Sequence, residues 1–215
     1  IGHRTGDRFA MCSTFKWVLA AATLAAVDAG ELSLLREVVY GEKDLLEYAP
    51  TTRANIATGR LSVEALAGAI ITNSDNTAAN LLLPLIGGPA GLTAFVRKHG
   101  DSVTRFDRDE PTLNTNLPDD PRDTTTPSAM ATLMKTILVG ERALSRASRE
   151  RLLAWLVAPA PAQIVELPSV LPRVGGPSGY SGAGLGPVAR FWLTPGPVSA
   201  TTIALSPGLP RVVAV

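Results

Sequence analysis

At 215 residues, with 46% hydrophobic and 18% charged residues, the chain holds enough apolar material for one sizeable core or two closely packed subdomains. A formal net charge of +1 gives no electrostatic case for nucleic acid or an anionic membrane as partner. The nearest candidate for a bilayer span, Trp17 to Val27, runs only about eleven residues and is interrupted by Thr23, which suits a buried helix instead.

From the start, Ile1 to Phe9 carries His3, Arg4, Asp7 and Arg8 and no apolar stretch of the kind a secretory leader needs, the pattern of a processed or trimmed chain. Cys12 to Val27 is rich in Ala and Leu and reads as a helix ended by Asp28-Ala29-Gly30. Leu61 to Glu64 opens a second helix, with Ser62 as its cap and Val63 to Ile71 as its body. Asn73 to Asn76 breaks it, Thr77 to Ile86 restarts helical, and Gly87-Gly88-Pro89 ends that segment. Gly91 to His99 is a further short helix, stopped at Gly100. Asp101 to Pro127 is then irregular, with four prolines and many Asp, Asn and Thr, and so long a loop inside a domain is usually functional or disordered. Helices resume over 128–139 and 148–157, and Val188 to Thr194 with Ala200 to Leu205 reads as a strand pair turning at Pro195-Gly196-Pro197. A mostly helical body followed by strands is an α+β layout, here with helical residues 13–157 and a strand region 171–205 in a single domain, 1–215.

Three short segments carry reactive chemistry. In Ser13-Thr14-Phe15-Lys16 a three-residue offset puts hydroxyl and amine on one helix face, where the helix start favours developing negative charge on the serine oxygen. A partly desolvated lysine beside a hydroxyl can lose its proton and act as a base. Ser74-Asp75-Asn76 sits in a break between helices, which can aim a hydroxyl and a carboxamide into a cleft, although a loop cap explains it equally well. Arg108 to Asn114 lies in the long loop, where Glu110 is a candidate base for a water positioned by Asn114, and Arg108 pairs with Asp123 across the loop's neck. The plainer alternative is a solvated acidic loop with an incidental surface ion pair. Only His3 and His99 are present, far apart and without ligand-spaced partners, so no metal or other cofactor is expected. The single cysteine, Cys12, excludes an intramolecular disulfide.

Each segment is common alone; together and in this order they are specific. S-x-x-K at Ser13, S-D-N at Ser74 and E-P-x-L-N at Glu110 resemble the class A serine β-lactamases. Phe9 to Cys12, Thr77 to Leu83, Arg122 to Met130 and Leu152 to Leu156 extend that resemblance from Gly2 to Trp155 and, more faintly, to Leu205. It implies a helical subdomain packed on an antiparallel sheet. It also implies that Ser13 attacks a β-lactam carbonyl, that Lys16 assists, that Ser74 passes a proton to the lactam nitrogen, and that Glu110 with Asn114 activates the deacylating water. By the same resemblance Asn76 binds the substrate's acylamide and the aromatic ring of Tyr48 flanks the cleft. The implied partner is a small-molecule β-lactam met outside the cytoplasm by a monomer, with no membrane insertion. A slowly acylated, impaired homologue is the alternative, and a D,D-peptidase is disfavoured by the presence of Glu110.

One expected element is missing. The family's K-T-G triplet needs a lysine on the strand facing Ser13, and this chain's four lysines are Lys16, Lys43, Lys98 and Lys135. Two triplets compete for the place, Pro177-Ser178-Gly179 and Tyr180-Ser181-Gly182. The second is preferred because proline at that strand position removes a backbone donor. Ser181 would then meet the substrate carboxylate and Ala183 would supply an oxyanion N–H, or Tyr180 in the other placement. Arg173 and Arg190 are the candidate replacements for the lost charge. Relative to the family both ends are short, which predicts exposed apolar surface where terminal helices would pack.

Overall fold

An Ala- and Leu-rich segment this apolar on all sides can only be stable in the middle of other helices. In the computed structural model, which describes residues 4–115 and 117–158 together with the backbone of three later strands, that segment is α1, Phe15–Asp28. Every residue from Phe15 to Leu24 is buried, including Lys16. Around α1 pack α3 (Val63–Thr72), α4 (Asn76–Leu82), α5 (Gly88–Lys98) and α7 (Arg146–Val157). Leu19, Leu24, Leu66, Ile70, Leu82, Leu92, Leu133, Ile137 and Leu152 form the centre of one continuous apolar core. Two more helices, α2 (Pro50–Ala54) and α6 (Pro127–Met134), the latter running on as a π-turn through Val139, complete the body.

Helix starts follow the local chemistry of capping. Ser62, Asp75, Thr126 and Ser145 each accept a hydrogen bond from the backbone N–H three residues on, so four of these helices begin where an oxygen-bearing side chain fills an orphan donor. The helix expected from Gly91 in fact begins at Gly88. Gly87, left-handed at φ 86°, ends the preceding helical segment as expected, and Pro89 sits in the first turn of the next helix, where a missing N–H costs nothing. The Gly-Gly-Pro run thus both closes one helix and opens the other. Likewise the expected helix from Thr77 to Ile86 starts one residue earlier and tightens into a 3-10 turn at Leu83–Ile86. Gly91 is required where it stands: a Cβ there would lie 1.9 Å from Ile86 O.

Short antiparallel pairs tie the body together. β1 (Phe9–Ala10) pairs with β4 (Thr124–Thr125), joining the segment just before Ser13 to the end of the long loop. β2 (Glu37–Val39) pairs with β3 (Arg60–Ser62). Strands of two or three residues leave no period-two signal, and none of these four stands out in the sequence. Leu61 and Ser62, expected at a helix start, belong to β3 instead, Ser62 serving both elements.

The expected C-terminal strand pair is present as β5 (Val188–Ala189) and β6 (Thr201–Ser206), antiparallel with Val188 opposite Ala204. A third strand, β7 (Leu209–Ala214), pairs with β6 where the sequence suggests only an apolar tail. α7 contacts β5, so at least this helix meets the open antiparallel sheet, and helices and antiparallel strands together make an α+β arrangement. Among the described residues no single helix is long and apolar enough to cross a membrane.

Candidate active site

Ser13 lies in a 3-10 turn, Cys12–Thr14, that runs directly into α1, so Lys16 follows it by one turn on the same face. Lys16 Nζ is 3.3 Å from Ser13 Oγ. The same nitrogen donates to Ser74 Oγ at 3.1 Å, Ser74 O at 3.0 Å and Asn76 Oδ1 at 2.5 Å, and it lies 2.9 Å from Glu110 Oε1. An ammonium has three hydrogens, so the four oxygens it donates to share them in alternating sets, while Glu110 Oε1 meets it as an ion pair. Burial pushes the Lys16 amine below its ordinary 10.5, while the Glu110 charge pushes it back up. The amine is therefore held in reach of losing a proton, with a carboxylate at hand to receive one.

The break between α3 and α4 points alternate side chains in opposite directions. Ser74 takes a left-handed backbone (φ 54°), which turns both its hydroxyl and its carbonyl toward Lys16. Asp75, fully buried, faces the other way. It accepts from the N–H groups of Thr51, Thr52 and Ala78 and from Thr52 Oγ1, so it caps α4 and pins α2 to it. Asn76 returns to the cleft, and because its Oδ1 faces an ammonium, its NH2 end is left to donate elsewhere. Its backbone N–H donates to Tyr48 O at 3.0 Å, placing the Tyr48 segment beside it. The Tyr48 ring is partly exposed, and its hydroxyl is pushed above 10.0 by burial and then by the Asp75 charge.

Glu110 reaches Lys16 from the long loop. Its Oε2 accepts from Asn114 Nδ2 at 2.7 Å, and the Glu110-Pro111 peptide is cis. Oε1 meets Lys16 at 2.9 Å as an ion pair, and among the described residues neither Oε1 nor the buried Asn114 Oδ1 accepts a hydrogen bond. Leu113 anchors this stretch by its burial in the apolar core that also holds Met11, Phe15, Leu83, Leu92 and Phe106. The neck is closed as the sequence suggests: Arg108 Nε donates to Asp123 Oδ2 at 2.6 Å. That pair is largely buried, which removes the reading of an incidental surface contact.

Ser13, Lys16, Ser74, Asn76 and Glu110 thus share one nitrogen, and Asn114 touches Glu110 from outside that ring. Ser181 and Ala183, with Ser178, Tyr180, Arg173 and Arg190, lie outside the described residues. One positioning residue carries no assigned role in the sequence reading: Asn80 Nδ2 donates to Glu110 O at 2.8 Å and its Oδ1 accepts from Glu110 N at 3.0 Å. Its four-residue offset from Asn76 on α4 places both on one helix face, which is the signal that would have revealed it. Among the described residues no group of His, Cys, Asp and Glu is placed to hold a metal ion.

The model of the beta-lactamase enzyme family matches residues 1–179. Among solved structures, an ancestral class A beta-lactamase reconstructed for the last common ancestor of Gram-negative bacteria is 56% identical, with a TM-score of 0.71 over 74% of this chain and 60% of its own. A beta-lactamase from Xanthomonas campestris is 54% identical, with the same TM-score over 73% of this chain and 58% of its own. A double mutant of the ancestral enzyme was solved with the transition-state analogue 5(6)-nitrobenzotriazole. This chain therefore spans about three-fifths of the length of those relatives. With the catalytic-type cluster and the surrounding helices both accounted for, the chain belongs to the beta-lactamase enzyme family and has the α+β fold of its class A members.

Proposed function

We propose that the chain is a serine hydrolase that opens β-lactam rings through an acyl-enzyme on Ser13. The observation that carries this reading is one buried amine, Lys16 Nζ, within 3.3 Å of the oxygens of Ser13, Ser74 and Glu110. Ser13 Oγ attacks the lactam carbonyl carbon and gives its proton to Lys16. The lactam C–N bond then breaks, and Ser74 Oγ passes its proton to the departing nitrogen while taking the one Lys16 received from Ser13. The Ser13 backbone N–H supplies one oxyanion donor, and Asn76 offers its NH2 to the substrate amide. In the second half, a water donating to Glu110 Oε1 and Asn114 Oδ1 loses its proton to Glu110 and attacks the ester carbonyl. The bond from that carbon to Ser13 Oγ then breaks, and the proton returns from Glu110 through Lys16 to Ser13 Oγ. Tyr48 forms one edge of the cleft. In this reading the enzyme acts as a monomer on substrates met outside the cytoplasm.

A second reading has its own observation, the absence of any lysine after Lys135. A charge-assisted contact to the substrate carboxylate contributes roughly 1.5–3 kcal/mol, or about ten- to a hundredfold in rate, unless Arg173 or Arg190 supplies it. An impaired homologue would acylate and then stall. Mass spectrometry with a penicillin, beside a chromogenic cephalosporin assay, separates the two. Rapid colour change with no lasting adduct supports turnover, a persistent adduct on Ser13 supports the impaired form, and neither adduct nor colour change would overturn both readings. In the turnover case Glu110→Ala traps the acyl-enzyme; undiminished turnover in that variant would remove Glu110 from deacylation.

A further inference from the structure

Two residues with left-handed backbone, Cys12 (φ 44°) and Asp123 (φ 54°), stand on different segments but belong to one hydrogen-bonded path. Such conformations are unfavourable for residues other than glycine and persist only where the surroundings over-determine them. Met11 N–H donates to Asp123 O at 2.9 Å, and Met11 O accepts from Thr14 N–H at 3.0 Å across the turn that holds Cys12 and Ser13. On the other side of Asp123 is Asp107. Asp123 N–H donates to Asp107 Oδ2 at 3.0 Å, and Asp107 N–H donates to Asp123 Oδ1 at 2.8 Å, so each aspartate accepts the other's backbone. Arg105 grips the Asp107 carboxylate through Nε at 2.9 Å and its terminal nitrogen at 2.5 Å.

We propose that Asp107 is a positioning residue that, through Asp123, keeps the loop bearing Glu110 in register with the turn bearing Ser13. This rests on the reading above, in which both residues act on the same acyl group. The Arg108–Asp123 ion pair closes the neck through side chains. Asp107 does something different: it holds the N–H of the residue whose carbonyl receives Met11. Without that acceptor, Asp123 has a buried N–H to satisfy and loses a reason to stay left-handed, and its carbonyl turns away from Met11. Asp107 itself touches no reacting atom, so its effect is one of alignment between two segments.

Asp107→Ala and Asp107→Asn test this in the full chain, since Asn keeps an oxygen able to accept the Asp123 N–H while giving up the charge on Arg105. Hydrogen exchange by mass spectrometry reads the clasp without any substrate. The Ala variant should exchange faster in peptides covering 9–14 and 105–124 and unchanged in those covering 63–98, and the Asn variant should restore the wild-type pattern. Acceleration confined to 105–124, acceleration spread evenly through the helices, or an Asn variant as loose as Ala would each overturn the proposal. With a penicillin, the Ala variant should lengthen acyl-enzyme lifetime about tenfold or more while acylation stays within about threefold. An unchanged lifetime would also overturn it. If wild type neither forms an adduct nor turns over a chromogenic cephalosporin, the hydrolase reading fails and the exchange pattern alone decides whether the clasp exists.

Discussion

A single nitrogen decides what chemistry this site can do. Lys16 is buried in the apolar first half of α1, a placement tolerable only because oxygens surround its amine. The direction of its titration follows: burial lowers it from 10.5, and the Glu110 charge works against burial. A lysine acting as base is competent above its own pKa, so acylation should rise with pH along a limb lying below 10.5. Replacing Glu110 with Gln removes the charge that raises Lys16, and that limb should move to still lower pH. The rate of adduct formation on Ser13 as a function of pH measures this. A limb that stayed in place or moved upward would mean that Glu110 does not control the Lys16 proton.

At the scale of elements, similar caps carry different loads. Ser62 accepts one N–H at the start of α3 and, among the described residues, makes no other side-chain hydrogen bond. Asp75 caps α4 and also holds two N–H groups and a hydroxyl of α2 while being fully buried. Ser62→Ala should therefore cost about 1 kcal/mol, the usual worth of a cap. Asp75→Ala should cost about 3 kcal/mol or more, because several buried donors lose their partner together. Denaturant melts of the two variants compare them directly, and equal losses would show that Asp75 is a cap and nothing more. The order also explains why the middle residue of Ser74-Asp75-Asn76 is an acid although it faces away from the cleft: it builds the floor on which its two neighbours stand.

Over the whole molecule, carboxylates join parts that are distant in sequence. Burial raises Asp28 at the end of α1, but hydrogen bonds from Ser145 N–H and the hydroxyls of Ser148 and Ser145 outweigh it and hold its pKa below 3.8. Arg105 holds Asp107 below 3.8, and Arg122 holds Asp120 down to about 2. A group whose folded pKa is depressed stabilises the fold above its unfolded value and loses that contribution as pH falls through the folded one. Acid should therefore weaken the α1–α7 junction and the loop neck together, beginning below 3.8 and, for Asp120, continuing to about 2. Asp28→Asn should lower stability near neutral pH and flatten its fall below 3.8, as followed by thermal melts across that range. A slope unchanged from wild type would mean that Asp28 carries no part of the acid response.

How much of this was legible in advance depended on how local its cause is. Sequence alone was enough for the Ser13–Lys16 spacing, the Ser62 cap and the Arg108–Asp123 neck, because each follows from helix periodicity, a capping oxygen or a charge pair closing one loop. The two-residue β1–β4 pair was not legible, since its strands are too short for any period and exist only because the long loop returns to the segment before Ser13. Nor was the convergence of five oxygens on Lys16, which requires three separate segments to meet in one dry place. The roles of Asp75, Asn80 and Asp107 were hidden for the same reason. Their side chains act on the backbone of residues 20 or more positions away for Asp75 and Asn80, and across the loop neck for Asp107. Residue types and their order determined which chemistry was available to this chain; only the tertiary structure decided that the serine, lysine and glutamate would share a single buried amine.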